Sequence, residues 1–492
     1  MIRKCLLLAV CGISLSATAQ TEAFTQRFFE TYEKYREPSI GQRRIQHQDI
    51  QPLIDRFART EGFEVRKVGS SIEGRDLRLL STGRGETDIF LWSQMHGDEP
   101  TATQAIFDIL NFLSSEDFRE EKQALLDSVR IHFLPMLNPD GAARFQRHNF
   151  LGIDINRDAL RLQSPEGQTL KRVRDSLQAE FGFNLHDQSR YYNAEQTPKP
   201  ATISYLAPAY NYEKEVNVVR ARAMRVIGYM NRILQEYAPG QVGRYNDDFE
   251  PRAFGDNIQK WGTSAILIES GGYPEDLEKQ EIRKLNYVSI LSAIYAIASG
   301  SYTGVSLDDY YQIPENDRKM LDLKIQEVTY PLEGKSYLMD FGIYRAEVDR
   351  DGHRDFWNIG RITDMGDLST FYGYETVQAT GLELRSGKLY PTVLPDMDAV
   401  SSLDFRSLLQ EGYTYVRVQN VPEKQMDVPF PVHIVGAGFK NPPSKWDIGD
   451  NATFVLYKEN KPLYAIVNGF LYDLEQEWET GNNSLILRKS GS

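Results

Sequence analysis

The sequence predicts an α/β fold, with a mixed, largely parallel sheet flanked by helices, followed by a mainly β C-terminal domain. Up to about residue 300, buried-strand patterns alternate with amphipathic helix patterns, which is typical of layered α/β domains. Beyond residue 304, short strand patterns separated by Gly, Pro and Asp take over, with few helix signals. The chain has 492 residues, which is long enough for two such domains.

The first domain, residues 20–303, is predicted from the order of its elements. Each strand is a short apolar run, and each helix carries apolar residues at helical spacing on one face. Residues 20–60 are charged and helix-prone. The elements that follow are strand Thr87–Met95, helix Thr101–Leu113, strand Val129–Leu137, helix Glu166–Phe181, short strand Phe183–Leu185, helix Glu213–Leu234, strand Ser264–Ile268 and helix Glu278–Ala298.

The second domain, residues 304–492, is predicted to be β-sandwich-like and non-catalytic. Its segments Ile359–Leu382 and Asp447–Gly469 resemble the two halves of the small β-sandwich that flanks the barrel in amidohydrolases. About 65 residues separate them, which is far too few for a barrel. The sequence therefore indicates a sandwich without the barrel, and no His-x-His metal pair occurs in it.

The N-terminus has the pattern of a secretory signal peptide over residues 1–19. Two basic residues precede a mostly apolar run, residues 5–15, and Ala17–Ala19 fits a small-residue cleavage site. The run is shorter than the ~20 residues of a membrane span. A lipoprotein signal ending at Cys11 is the alternative. We expect a secreted or periplasmic protein with no stable membrane span.

Cysteine content and charge exclude several classes of function. Cys5 and Cys11 are the only cysteines and both lie in the predicted signal, so disulfides and thiolate sites are excluded from the mature chain. The net charge of −13 becomes −15 when Arg3 and Lys4 leave with the signal. A chain this acidic is not expected to bind nucleic acid through phosphates.

Residues able to bind a metal follow three of the predicted strands. His96 and Glu99 come directly after the first strand, His186 follows the short strand, and Glu269 follows the strand at 264–268. Ligands in open α/β sheets bind outside the carboxyl ends of strands. A catalytic zinc ion takes three protein ligands, and two His with one Glu is a known set. We therefore predict one zinc ion per chain, held by His96, Glu99 and His186.

A zinc ion polarises a carbonyl and acidifies its water, and a carboxylate is then needed to move the water's proton. Glu269 is the candidate for that general base. Taken singly, each residue has an ordinary alternative: a chance His-x-x-Glu, a core histidine or a salt-bridge glutamate. Their joint occurrence at three strand ends favours the metal site.

The neighbouring motifs resemble those of the zinc carboxypeptidase family, the carboxypeptidase A-like metallopeptidases. They occur in the family's order, at its approximate separations, over about residues 25–300. The matching motifs are His96–Glu99, Asn138–Gly141, Asp154–Arg157, Leu185-His186 and Ile268–Ser270.

The resemblance implies a role for each matching residue. His96, Glu99 and His186 match the zinc ligands, and Glu269 matches the base. Asn156 and Arg157 match the pair that binds the substrate's terminal carboxylate, and Arg147 resembles the arginine that stabilises the oxyanion. A guanidinium suits both tasks because it binds a carboxylate bidentately and carries a fixed positive charge.

Three further positions leave the substrate or the set of active-site residues open. Asp98 stands where many digestive members have arginine, and bacterial cell-wall amidases share this His-Gly-Asp-Glu sequence. Tyr245, 24 residues before Glu269, lies in the region of the family's active-site tyrosine. Asp256 lies either in the pocket for the substrate's side chain, where it would favour a basic residue, or on a solvated loop.

The predicted function is a zinc metallocarboxypeptidase that hydrolyses a peptide bond next to a free carboxylate, using zinc-bound water and a glutamate base. The alternative within the same class is an amidase acting on cell-wall (murein) peptides. A second alternative is a non-catalytic zinc protein that binds peptides, against which the intact Glu269 argues.

Overall fold

The residues that the computed structural model describes are 25–423, 426–478 and 483–487. The predicted signal peptide lies outside them and stays a prediction. None of the described helices is long and apolar enough to cross a membrane. The chain divides into two compact units, the first running to Arg318 and including Gly352–Arg354, and the second comprising Lys319–Asp351 and the chain from Asp355 onward.

The first unit is built on an eight-stranded mixed sheet. Its strands are β1 (Phe63–Ser70), β2 (Asp76–Gly83), β3 (Thr87–Ser93), β4 (Val129–Leu134), β5 (Phe181–Asp187), β7 (Ile203–Leu206), β8 (Val242–Arg244) and β9 (Ser264–Ser270); β6 (Asn193–Ala194) and β10 (Asn316–Asp317) form a separate ribbon. The sheet order is β1-β2-β4-β3-β5-β9-β7-β8. The four central strands β4, β3, β5 and β9 are parallel to one another, which confirms the predicted sheet.

Helices cover both faces of this sheet. They are residues 25–35 (α1), His47–Phe57 (α2), Thr101–Ser114 (α3), Arg119–Ser128 (α4), Pro139–Ala142 (α5), Pro165–Leu177 (α6), Val218–Tyr237 (α7), Phe254–Lys260 (α8), Gln280–Ser299 (α9) and Leu307–Tyr311 (α10), with single 3-10 turns at Pro38–Ile40, Ile155–Arg157 and Ser301–Gly304. Buried side chains of α3, α7 and α9 form the core on one face, and those of α6 and α8 form the core on the other. The predicted flanking helices are thereby confirmed.

Two predicted helices have different bounds in the structure. Helix α6 ends at Leu177 because Gln178 takes a left-handed conformation, with φ of 49°, so Phe181 begins β5 instead of closing the helix. Helix α7 begins at Val218, where the side chain of Asn217 caps it by accepting a hydrogen bond from the Arg220 amide. In both cases an apolar pattern ran past a local signal that ends or begins the helix.

The division between the units lies after the predicted change of pattern at residue 304. The buried side chains of Val305, Tyr310 and Ile313 belong to the core of the first unit. The chain therefore adds a 3-10 turn and the short helix α10 to this unit before the second unit begins at Lys319.

The second unit is mainly β, as predicted. Its elements are β11 (Met320–Leu332), β12 (Lys335–Asp349), β13 (Phe356–Gly366), β14 (Tyr372–Gln378), β15 (Glu383–Arg385), β16 (Lys388–Leu394), α11 (Met397–Ser401), α12 (Phe405–Gln410), β17 (Tyr413–Val418), β18 (Asp427–Val428), β19 (His433–Gly436), β20 (Phe454–Lys458), β21 (Lys461–Val467), β22 (Phe470–Asp473) and β23 (Ser484–Leu487). Strands β11 to β13 are longer than the short strands expected from the sequence.

Two sheets make up the second unit. One has the order β13-β12-β11-β15-β20-β21-β22, with β14 beside β11, and the other has the order β16-β17-β19-β23-β18. The two sheets share a buried apolar cluster that also includes Val400 of α11 and Leu409 of α12. The segments that resemble two halves of one small domain do meet, since the Gly360 amide donates to Asn468 Oδ1 at 2.9 Å. The predicted non-catalytic role of this unit stays a prediction.

Candidate metal centre

The carboxyl ends of three adjacent parallel strands bring the predicted metal ligands and the predicted base to one edge of the sheet. Strand β3 ends shortly before His96, while His186 lies near the end of β5 and Glu269 near the end of β9. His186 and Glu269 are direct partners in the register between β5 and β9. The parallel sheet thus carries residues that are far apart in sequence to one edge.

The side chains of His96, Glu99 and His186 converge on one point. Glu99 Oε1 lies 2.8 Å from His96 Nδ1, and Glu99 Oε2 lies 2.7 Å from His186 Nδ1. The two Nδ1 atoms are 3.2 Å apart. The three side chains offer ligand atoms that all lie within 4.8 Å of one another, and all three residues are buried.

The turn after β3 explains the glycine next to His96. Gln94 turns the chain with a φ of 52°, and its side-chain amide donates to the Gly97 carbonyl at 2.9 Å. A Cβ on Gly97 would lie 2.1 Å from the carbonyl carbon of Gly141, so only glycine allows the two backbones to approach this closely. The two matching motifs therefore pack directly on each other.

Asp154 connects His96 to Arg147. One carboxylate oxygen of Asp154 lies 3.1 Å from His96 Nε2, and the other accepts a hydrogen bond from Arg147 Nε at 3.0 Å. The same guanidinium lies 3.2 Å from His96 Nδ1 and 3.5 Å from Glu99 Oε1. Asp154 therefore orients both the first histidine and the arginine, a role that the sequence did not reveal although the residue lies in a matching motif.

Burial and mutual charge shift the pKa values of the site. Burial alone would lower the pKa of His96, but the carboxylates of Glu99 and Asp154 outweigh it and raise that pKa to about 9. Burial lowers the pKa of His186. Burial and the negative charge of Glu99 raise the pKa of Glu269 well above its ordinary value.

Asn156 and Arg157 lie on the 3-10 turn that Asp154 begins, which fixes them close to the partner of His96. Asn156 Oδ1 accepts a hydrogen bond from the Phe254 amide of α8 at 2.9 Å. The half-exposed guanidinium of Arg157 lies 3.5 Å from Glu250. Asn156 is thus held by its side-chain oxygen, and Arg157 keeps a guanidinium that a ligand can reach.

Tyr245 and Asp256 also belong to this region. Burial and, to a smaller extent, the negative charge of Glu269 raise the pKa of Tyr245, whose ring packs edge-on against Tyr192. Asp256 lies in the first turn of α8 and not on a loop. Burial raises its pKa to about 7, against the opposing charge of Arg157.

Asn184, a polar residue that the sequence analysis did not single out, lies on β5 close to the predicted ligand His186. Asn184 is fully buried on β5, two residues before His186 and therefore on the same face of the sheet. Among the described residues neither atom of its amide has a hydrogen-bond partner. Its register partner Leu267 keeps 8% exposure, and a Cβ on Gly255 would lie 3.0 Å from Asn184 Nδ2.

Comparison with known sequences agrees with these motifs. The protein-family model for zinc carboxypeptidases matches residues 52–234. This span contains all three converging ligands and Arg147, Asn156 and Arg157, whereas Glu269 lies beyond it. The matched part of the chain, residues 52–234, is thus similar to the zinc carboxypeptidase family.

Curated relatives match parts of this chain. Carboxypeptidase M of Mus musculus is 30% identical over 112 residues, which are 19% of this chain and 25% of that protein. Carboxypeptidase SOL1 of Arabidopsis thaliana is 27% identical over 176 residues, 29% of this chain and 35% of that protein. Carboxypeptidase E of Caenorhabditis elegans is 34% identical over 113 residues, 19% and 24% respectively. The matches thus span about a third or less of each relative.

Two solved structures are also similar to part of this chain. A metallo-carboxypeptidase from Burkholderia cenocepacia is 16% identical with a TM-score of 0.42, over 51% of this chain and 68% of that chain. A metallo-carboxypeptidase from Pseudomonas aeruginosa, in complex with (2-guanidinoethylmercapto)succinic acid, is 19% identical with a TM-score of 0.41, over 51% and 69% respectively.

The converging side chains fit one zinc ion. Two imidazole Nδ1 atoms and a carboxylate form a His₂Glu donor set, which is one of the arrangements that hold catalytic zinc. Nδ1 atoms 3.2 Å apart cannot both carry protons directed at each other, and a cation between them removes this conflict. Asp154, bonded to Nε2 of His96, supplies the carboxylate support that metal-bound histidines usually have.

Proposed function

We propose that this protein is a zinc metallocarboxypeptidase that hydrolyses the peptide bond next to a free carboxylate. The observation that carries the proposal is the convergence of His96, Glu99 and His186, with Glu269 on the neighbouring strand in register with His186. A family relationship supports it, although the relatives match only part of their length. The ligands, the base and the substrate-binding residues named here are all part of the proposal.

Glu269 is the proposed general base. A bound zinc ion supplies a Lewis acid for the scissile carbonyl and lowers the pKa of water. Glu269 takes a proton from the attacking water and passes it to the leaving amine. Burial and the neighbouring Glu99 raise the pKa of Glu269, which increases the affinity of its carboxylate for a proton.

Arg147 is the proposed stabiliser of the oxyanion. Its guanidinium is held by Asp154 beside the ligand atoms and is 39% exposed, so it offers a fixed positive charge at the edge of the site. A charge placed in advance where negative charge develops lowers the barrier without reorganisation.

Asn156 and Arg157 are the proposed carboxylate-binding pair. They share the turn begun by Asp154, whose partner is the ligand His96, and this brings the pair near the metal. Anchoring the terminal carboxylate there would leave the last peptide bond near Glu269. The partner is then a peptide with a free C-terminus, and export by the predicted signal would place the enzyme in the periplasm or outside the cell.

A panel of peptides with free and amidated C-termini tests the proposal. Zinc-loaded protein is expected to release the last residue of the free peptides and to leave the amidated forms intact, as seen by mass spectrometry of the products. A chelator should stop the reaction. Cleavage of muropeptides alone would support the cell-wall amidase, and binding of peptides without cleavage would support the non-catalytic alternative.

A further inference from the structure

A buried lysine–aspartate pair joins the segments that carry the candidate site. Asp187 follows His186 in β5, and its Oδ2 atom accepts hydrogen bonds from Lys279 Nζ at 3.0 Å and from Thr101 Oγ1 at 2.6 Å. Lys279 Nζ also donates to the Ser270 carbonyl at 2.9 Å. One ammonium and one carboxylate thus connect the beginning of α3, the end of β5 and the end of β9.

Each contact point lies within two residues of a site residue. Thr101 is two residues after Glu99, and Ser270 directly follows Glu269. Asp187 itself is next to a ligand. A displacement of the pair would therefore move a metal ligand or the base on each of the three segments, and not one of them alone.

The pair is shielded from water, which strengthens the attraction between its two charges. Lys279 is 8% exposed, the Asp187 side chain is 6% exposed, and Thr101 and Ser270 are fully buried. Hydrogen bonds to charged groups at low dielectric are strong, and losing one partner leaves a buried charge uncompensated. Lys279 has a φ of 53°, a conformation that lysine rarely adopts and that packing at this position must hold.

We propose that Lys279 and Asp187 are positioning residues that hold the zinc ligands and the base in register. They act through the backbone of the three segments and do not touch substrate. This inference rests on the proposed metal site, but it concerns retention of the metal, which is measured without any substrate. A failed inference is therefore distinguishable from a failed assignment of the peptidase activity.

The experiment compares Lys279→Met with Lys122→Met in the zinc-loaded full chain. Lys122 is a matched control because it is 5% exposed and its Nζ donates to Phe112 O at 3.1 Å and Ser115 Oγ at 2.9 Å, all outside the site. The rate at which zinc is lost to a chelator is measured for each folded variant. Cobalt-substituted protein adds a visible spectrum that reports the coordination geometry.

We expect Lys279→Met to lose zinc about tenfold faster than the natural protein, at the lower end of the effect of removing a side chain bonded directly to a metal ligand, because this pair acts through the backbone. The cobalt spectrum should change, and kcat should fall by more than KM rises. Lys122→Met should lose zinc at the natural rate. Equal loss rates and spectra for Lys279→Met and the natural protein would overturn the proposal, as would an equal acceleration in Lys122→Met.

Thr101 keeps the test decisive if Lys279→Met does not fold. Thr101→Val removes one hydrogen bond to Asp187 and leaves both charges in place, so roughly tenfold faster zinc loss is expected. Thr101→Ser restores the hydroxyl and should restore the natural rate. Zinc loss that is the same for Val and Ser at this position would contradict the proposal.

Discussion

At the scale of single residues, the site depends on which side chains face one point at the end of the sheet. The sequence alone predicted His96, Glu99, His186 and Glu269, because each follows a recognisable apolar strand. It did not predict Asp154 as the link between His96 and Arg147, because the spacing of a motif does not tell which side chains turn towards each other. Asn184 was missed for a similar reason, since a buried amide carries no sequence signal.

Asp154→Asn is predicted to weaken zinc binding about 10–100-fold, the typical effect of losing such a support. The asparagine keeps the shape but loses the negative charge that holds His96 Nε2 and the Arg147 guanidinium. Chelator competition measures the affinity. Asp158→Asn is the control, since Asp158 directly follows the motif and its carboxylate accepts a hydrogen bond from Ser164 Oγ and not from the site. Equal weakening in both variants would contradict the role of Asp154.

Asp256 predicts a pH-dependent preference among substrates. Burial raises its pKa to about 7, so the carboxyl is neutral below pH 7 and negative above it. The measured quantity is the ratio of kcat/KM for peptides ending in Lys to kcat/KM for peptides ending in Leu. If Asp256 faces the substrate's side chain, this ratio should rise about tenfold as the pH rises through 7, which is the effect of one charge-assisted hydrogen bond. The ratio cancels effects of Glu269 that both substrates share.

The matched variant is Asp256→Asn, which cannot ionise. Its ratio of Lys to Leu substrates should stay level between pH 6 and pH 8. A level ratio in the natural protein would show that Asp256 does not face the substrate's side chain, and would leave the metal site unaffected.

At the scale of elements, the central strands and the long helices were predictable and the edge strands were not. Strands β3, β5 and β9 are buried apolar runs, whereas β1 is exposed at alternating positions and carries charged residues between its apolar ones. Helix ends shifted where a capping residue interrupts an apolar pattern, as Gln178 does after α6. Periodicity finds the element, but caps and tertiary packing decide its bounds.

Helices α3 and α9 are joined by a second buried ion pair, which predicts a stability effect. Asp108 and Arg283 are fully buried, Arg283 Nε donates to Asp108 Oδ2 at 2.7 Å, and the Glu37 amide donates to Asp108 Oδ1 at 2.8 Å. Asp108→Ala leaves the guanidinium unpaired, so a loss of about 3–5 kcal/mol in the free energy of unfolding is expected. Denaturant unfolding measures it.

Asp117→Ala is the control for that prediction, because Asp117 is partly exposed and pairs with the exposed Lys34. It should change the unfolding free energy far less. Comparable losses of unfolding free energy in the two variants would mean that burial does not determine how much the Asp108–Arg283 pair stabilises the fold.

At the scale of the whole molecule, each unit has its own apolar cores, and the metal site lies entirely in the first. The predicted change of pattern at residue 304 lies before the short helix α10, which carries little pattern of its own and whose buried Tyr310 packs into the first unit. Strand order and the two-sheet arrangement of the second unit depend on contacts between distant segments, which local patterns do not encode.

We predict that calorimetry will show two unfolding transitions, one for each unit. Zinc removal should lower the transition temperature of the first unit only. The expected loss in its free energy of unfolding is about 4 kcal/mol, relative to protein in zinc at a thousand times the dissociation constant. Thr453→Val should lower only the other transition, because it breaks the hydrogen bonds of Thr453 to His433 at 2.8 Å and to Asn451 at 2.6 Å. A single transition that responds to both changes would contradict separate cores.

The most direct measurement of the central claim determines zinc content and turnover together in Glu269→Gln. The substitution keeps the size of the side chain and removes its ability to accept a proton at neutral pH. We predict one zinc ion per chain, as in the natural protein, and turnover of a free peptide reduced by at least about a hundredfold, as the loss of a general base gives. Turnover at the natural rate with zinc still bound would contradict the account.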